Sequence, residues 1–219
     1  MKLCYMYDDN FKQLTSKFLS SIKDKENFDL IDINIDSPVF SDDYPEHLKY
    51  GGGIDIWKSR LIHIINIIDS CNENEHFLFS DVDIVLYKPL MSALNTVVKD
   101  HDIIFLREIF DGIHPQGGNI NFGFNLIRAN QKTRRFFVDI FDKVKNEGAW
   151  EQQLINQTLY NYNSYDLNWT LFSPEFFSRS IGLEHLNKNI VLYHANCAVT
   201  IEKKLTHMDE VDQIISQFH

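Results

Sequence analysis

The chain is poor in cysteine. Cys4, Cys71 and Cys197 are the only three in 219 residues, too few and too scattered for a disulfide framework or a cysteine zinc site. No run reaches the roughly 18 apolar residues that a membrane helix needs. Residues 1–5 lack the apolar core and cleavage site of a signal peptide. Positive charge is also short: 21 Lys+Arg stand against 31 Asp+Glu, a formal net charge of −10. That balance excludes the broad basic face of a nucleic-acid-binding protein. A small anionic ligand would need a local basic patch or a bound cation. The chain shows no repeat, low-complexity segment or linker, and its sequons at Asn156 and Asn168 have no secretory signal to serve. A reducing, cytoplasmic setting with no membrane span is the expectation.

What is present is enough apolar material, 44% of residues, to fill one sizeable core. Strands are expected over 2–7, 28–35, 76–80, 102–106, 119–127, 169–172 and 190–193. Helices are expected over 11–23, 54–70, 90–99, 131–146, 151–162 and 206–218, the last with Thr206 as N-cap. A triple glycine, Gly51 to Gly53, follows a loop-like stretch over 37–50 and precedes the second helix. Alternation of strand and helix in the first half predicts an α/β fold with a mixed, mostly parallel central sheet flanked by helices. Ligands of such sheets bind beyond the carboxyl ends of the strands. That edge carries Tyr7 and Asp8 after the first strand and Asp81-Val82-Asp83 after the third.

His76-Phe77-Leu78-Phe79-Ser80-Asp81-Val82-Asp83-Ile84-Val85-Leu86 is the most informative stretch. Two carboxylates at i and i+2 of extended backbone lie on the same side. They stand beyond a strand too apolar to be a solvated edge. Held that close they repel, unless one is protonated or a cation lies between them. Oxygen ligands of this kind suit Mg²⁺ or Mn²⁺, which in turn bind phosphates.

Two enzyme classes place Asp-x-Asp after an apolar strand. Haloacid-dehalogenase-like phosphatases use the first Asp as nucleophile, here Asp81. They also need a later acidic pair after a strand, whereas Asp209-Glu210-Val211-Asp212 falls in a helical pattern. The other class is resembled along the chain, over roughly residues 1–205. The stretch from Phe77 through Asp81 and Asp83 to Pro89-Leu90 resembles the metal-binding motif of nucleotide-diphospho-sugar transferases of the GT-A fold. Asn121-Phe122-Gly123-Phe124-Asn125 is similar to their second, Asn/Gly-containing strand. Glu151-Gln152-Gln153-Leu154-Ile155-Asn156 resembles their Asp-Gln-x-x-x-Asn helix, with Glu for Asp. Val191-Leu192-Tyr193-His194-Ala195-Asn196 resembles their late His motif. The family includes soluble, virus-encoded members that glycosylate capsid proteins, which would make the setting a host cytoplasm.

The resemblance implies a single GT-A (Rossmann-like) domain over 1–219. Residues 1–100 would form its nucleotide-binding half, and 101–219 would complete the metal and acceptor side. It implies transfer of a hexosyl or deoxyhexosyl unit from a UDP-sugar to a carbohydrate acceptor, with retention favoured. Asp81, Asp83 and His194 would hold Mn²⁺ or Mg²⁺. Tyr7, Asp8, Lys58, Asp81, Val82 and Lys203 would meet the nucleotide and its diphosphate, with Lys204 competing for Lys203's place. Glu151, Gln152 and Asn125 would serve the reaction centre. Each has a plainer reading. Tyr7 fits a core position, Lys58 a solvated helix charge, His194 a packing position, and Glu151 an acid that favours the helix dipole at a helix start.

Overall fold

A computed structural model describes residues 1–35, 53–95, 100–108, 118–178, 183, 186, 188–196, 198 and 200–218. Gly51, Gly52, Cys197, the stretch 37–50 and the last turn of the helix expected over 90–99 lie outside the described residues.

The elements run β1 (Lys2–Tyr7), α1 (Lys12–Ser21), β2 (Asp29–Asn34), α2 (Gly53–Ser70), β3 (His76–Ser80), β4 (Ile84–Leu86), α3 (Leu90–Leu94), β5 (Ile103–Glu108) and β6 (Ile120–Arg128). They continue as α4 (Gln131–Glu147), α5 (Glu151–Asn161), β7 (Trp169–Leu171), β8 (Phe176–Ser178), β9 (Leu192–His194) and α6 (Ile201–Ser216). The expected strands all form, β1 and β3 with the expected bounds. β8 and β4 come in addition; at three residues each they are too short for periodicity to single out.

One sheet orders these strands as β2-β1-β3-β6-β5-β8-β9-β4, with β7 also on β5. β1 pairs in parallel with β2 and β3, and β5 with β7 and β8, as does β8 with β9. β6 is antiparallel to both its neighbours, and β4 to β9. Successive strand residues face opposite sides, so the sheet feeds two cores. Phe77 and Phe79 join Trp57, Leu61 and Ile64 of α2 and Phe136, Phe137 and Ile140 of α4 on one face. Leu78 joins Phe18 of α1 and Met208 and Val211 of α6 on the other. Helices thus cover both faces, as the alternating pattern predicts.

Two helix boundaries have local causes. α4 starts on a reciprocal capping box, in which the Asn130 side chain accepts from Thr133 N–H. It ends on Gly148 at φ +64, the left-handed conformation that glycine adopts without penalty. α6 starts earlier than its apolar periodicity predicts. Thr200, not Thr206, is the N-cap and accepts from Lys203 N–H. Glu202 sits favourably in the first turn, a signal that the sequence carries in Thr200-Ile201-Glu202. Among the described residues no helix is long and apolar enough to cross a membrane.

Candidate active site

β3 and β4 are joined by only Asp81-Val82-Asp83, yet they occupy distant places in the strand order. The link crosses from β6 to β9. Asp81 N–H donates to Gly123 O at 2.7 Å, and Asp83 O accepts from Ala195 N–H at 2.9 Å. β9 ends at His194, which is in register with Ile84. The motif predicted from the local run and the histidine 111 residues later are thereby brought together.

His194 Nε2 lies 3.1 Å from Asp83 Oδ1 and 3.9 Å from Asp81 Oδ2. One ligand atom from each of the three residues falls within 4.8 Å of the others. The imidazole's orientation is fixed from behind. Gly123 N–H donates to Asn121 Oδ1 at 2.9 Å, which identifies that atom as the oxygen. His194 Nδ1 lies 3.1 Å from the same oxygen and therefore carries a proton. Nε2 is turned toward the two carboxylates; it donates to Asp83 at 3.1 Å, and on giving up that proton its lone pair would be aimed where a metal ligand's must be. Gly123 permits this approach: a Cβ there would fall 2.2 Å from His194 Cε1. Two carboxylates and an imidazole nitrogen form a donor set that a divalent cation fits.

The carboxylates are not equivalent. Asp83 is buried, and burial alone would raise its pKa. Lys204 and His194 outweigh that and hold the carboxyl well below the usual range. Lys204 Nζ is 2.5 Å from Asp83 Oδ2 and 3.1 Å from Ala195 O. Burial pushes the Asp81 carboxyl up; Arg60 counters this in part and the Asp83 charge adds to it. Arg60 Nη2 donates to Asp81 Oδ1 at 2.6 Å and Nη1 to Glu151 Oε1 at 3.0 Å. The guanidinium also lies over the Phe122 ring, 5.7 Å from its centroid. Glu151, fully buried at the first position of α5, has its carboxyl raised to about 7 by burial, against the pull of Arg60. Its Oε2 is buried without a hydrogen-bond partner.

The other predicted residues divide. Gln152 is buried beside Glu151; its Oε1 accepts from Phe122 N–H at 2.9 Å and its Nε2 donates to Glu108 at 3.0 Å. Asn125 is buried, donates to Phe122 O at 3.0 Å, and keeps an unpartnered Oδ1. Val82 is buried between the two acids. Tyr7 and Asp8 stand on the same sheet edge as Asp81, since β1 and β3 are parallel. Tyr7 donates to Asp32 at 3.1 Å, and Asp8 caps the turn that follows by accepting from Asn10 N–H at 2.7 Å. Lys58 pairs with Asp55 at 2.6 Å, one turn back on its own helix. Lys203 is exposed on α6; Lys204 is the lysine that reaches the acids. Arg60 and Asn121 are the residues that sequence reasoning did not assign to the site. Arg60's partners are 21 and 91 residues away, so no local pattern marks it. The sequon at Asn156 is fully buried and so closed to modification.

The acidic run of the phosphatase reading lies elsewhere. Asp209 and Asp212 of α6 bind Lys17 of α1 at 2.9 and 3.0 Å, so that reading is not favoured.

Comparison with known proteins bears on the fold and the family. A glycosyltransferase involved in glycosylation of the major capsid of the virus PBCV-1 superposes with a TM-score of 0.63 at 13% identity, covering 95% of this chain and 98% of that one. The galactosyltransferase LgtC superposes at 0.52 and 12%, covering 94% of each chain. The bifunctional glycosyltransferase WbbM superposes at 0.59 and 11%, covering 90% of this chain and 46% of that one. Identities this low establish the shared GT-A fold. An uncharacterized protein of Arabidopsis thaliana, At1g28695, is 26% identical over 148 residues; the match covers 66% of this chain and 43% of that protein, so the chain spans less than half of this relative's length. The profile of the nucleotide-diphospho-sugar transferases matches residues 41–208. Matched over most of its length, the chain belongs to the nucleotide-diphospho-sugar transferase family.

Proposed function

We propose that this chain is a metal-dependent glycosyltransferase that moves a sugar from a UDP-sugar to a carbohydrate or protein-linked sugar acceptor, in a cytoplasmic setting. The observation that carries the reading is the convergence of Asp81, Asp83 and His194 at the end of β3. These three would hold Mn²⁺ or Mg²⁺, which supplies Lewis-acid neutralisation of the charge that grows on a diphosphate leaving group. A chain with a net charge of −10 has particular need of it.

The protein's own groups supply the rest. Lys204 carries a cation into the site beside Asp83, the better placed of the two candidate lysines for a diphosphate. Arg60 ties Asp81 to Glu151 and fixes their separation. Glu151, with a carboxyl near pH 7, is suited to exchange a proton or accept a hydrogen bond at neutral pH. It is proposed, with Gln152 and Asn125, on the donor-sugar side. Tyr7, Asp8 and Val82 are proposed on the nucleotide side. Retention of anomeric configuration and a hexosyl or deoxyhexosyl donor carry over from the family resemblance.

The test is a screen of nucleotide sugars for nucleotide release with Mn²⁺, with Mg²⁺ and with EDTA. UDP release from one donor, slow without acceptor and lost in EDTA, is expected. Equal release in EDTA would sink the metal reading; no release from any donor would sink the transferase. The product's anomeric signal in NMR reads the stereochemistry.

A further inference from the structure

The strand that carries Gly123 against His194 is not a regular strand. β5 and β6 are in register from Ile103↔Ile127 to Phe105↔Asn125, then jump to Leu106↔Asn121. Residues 122–124 are therefore an insertion into β6 with no counterpart on β5. An odd insertion reverses which face each side chain meets. Ile120 and Phe122 pack on the α2/α4 side, while Phe124 and Leu126 pack on the α1/α6 side.

A bulge of this kind frees backbone groups whose burial is costly if they stay unpaired. Here side chains close them. Phe122 N–H donates to Gln152 Oε1, Phe122 O accepts from Asn125 Nδ2, and Gly123 N–H donates to Asn121 Oδ1. Gly123 O takes Asp81 N–H. Gln152 is held in turn by Glu108, whose other oxygen accepts from Asn196 at 2.9 Å, two residues past His194. The bulge thus touches the first acid through Gly123 and the imidazole through Asn121. Asn156, one turn along α5, closes Ile120 N–H and O at 3.0 and 2.9 Å, just outside the insertion.

We propose that Gln152 and Asn121 are positioning residues of the metal site: they hold the β6 bulge in the shape that seats Gly123 against His194 and turns the imidazole Nε2 toward Asp81 and Asp83. The inference rests on the metal reading above and gives Gln152 a task besides any contact with the sugar. Asn121 sets the tautomer directly. Gln152 acts one step back, through Phe122 and Glu108. Asn156 serves the same strand, meets Gln152 only at its backbone O (2.9 Å), and is the control.

The test measures Mn²⁺ affinity by the free-ion EPR signal, with no nucleotide present, alongside thermal unfolding. Gln152→Leu and Asn121→Leu should each weaken Mn²⁺ binding about 10- to 100-fold, the usual cost of losing a partner behind a metal ligand. Asn121→Asp, which keeps an oxygen for both donors, should restore most of it. Asn156→Leu should lower the melting temperature yet leave Mn²⁺ affinity alone. Parent-like affinity in both Leu variants, or an equal loss in Asn156→Leu, would overturn the proposal. If Gln152→Leu fails to fold, the Asn121→Leu and Asn121→Asp pair decides it. A parent protein that does not bind Mn²⁺ removes the metal reading and this inference with it. A parent that binds, with indifferent variants, removes this inference alone.

Discussion

The antiparallel pair β3 and β6 carries a polar cluster at each end, and the two are built on opposite principles. At the start of β3, Asp102 is nearly buried, and both its oxygens are met: Asn130 Nδ2 donates at 2.7 Å and Asn168 N–H at 3.0 Å. Arg128 stands 4.0 Å off. At the far end, Asp81 and Asp83 face one imidazole, Glu151 has an oxygen with no partner, and Asn125 has another. A buried acid saturated by donors is part of the scaffold. Here the Asp83 charge, held by Lys204 and His194, adds to the cost of ionising Asp81, a cost that a bound cation would offset.

The sharpest break of this contrast is catalytic. Asp83→Ala should lower UDP release by about 10²–10³-fold, the scale of losing a transition-state charge contact. Asp102→Ala should leave turnover per folded molecule intact and cost about 1–3 kcal/mol of stability from stranded donors. Denaturant melts and initial rates on both variants decide it. A rate loss in Asp102→Ala as large as that in Asp83→Ala would erase the distinction.

Next in size is a pH effect at Glu151. Its folded carboxyl, raised to about 7 from 4.5, holds its proton more tightly than the unfolded one. Rising pH therefore ionises the unfolded state first. The native state loses stability from about pH 4.5 until the folded group also ionises near 7, by about 3 kcal/mol in all. Melting curves across that window should fall more steeply for the parent than for Glu151→Gln. Parallel curves would show that Glu151 does not store this cost.

The smallest effect concerns the two lysines. Lys204→Ala should weaken UDP binding in the presence of Mn²⁺ about tenfold, or 1.4 kcal/mol, because it removes the cation beside Asp83. Lys203→Ala, altering an exposed position, should change it by less than about twofold. Calorimetric titration of UDP into each variant reads the difference, and the reverse order would return the role to Lys203.

What the chain discloses before folding follows the reach of its signals. Asp81-Val82-Asp83 is legible because a short apolar strand and its acids are contiguous, and His194 is legible as the end of a second apolar run. Arg60 is silent because α2 is apolar on the side that matters and its acid partners lie on β3 and α5. The β6 bulge is silent for a different reason. Ile120 to Ile127 still reads as one strand, and nothing in that run says that three of its residues have no partner on β5. Sequence left the choice between Lys203 and Lys204 open, and helix geometry separates the two. With the N-cap at Thr200, Lys203 and Lys204 fall about 100° apart around α6, and only the second faces the acids.

The three-residue link between β3 and β4 has a consequence for how the protein is made. Ile84 finds its strand partner 110 residues downstream at His194, and Lys204 reaches Asp83 across 121 residues. Contacts so distant in the chain are among the slowest to form, since loop-closure entropy must be met before they contribute. A nascent chain that has released β3 holds both acids but no site. The Asp-Asp-His cluster is complete only when β9 has docked, and Lys204 joins Asp83 when α6 follows. The proposed cation site is thus assembled late in folding, and the first half folds before these carboxylates meet their partners.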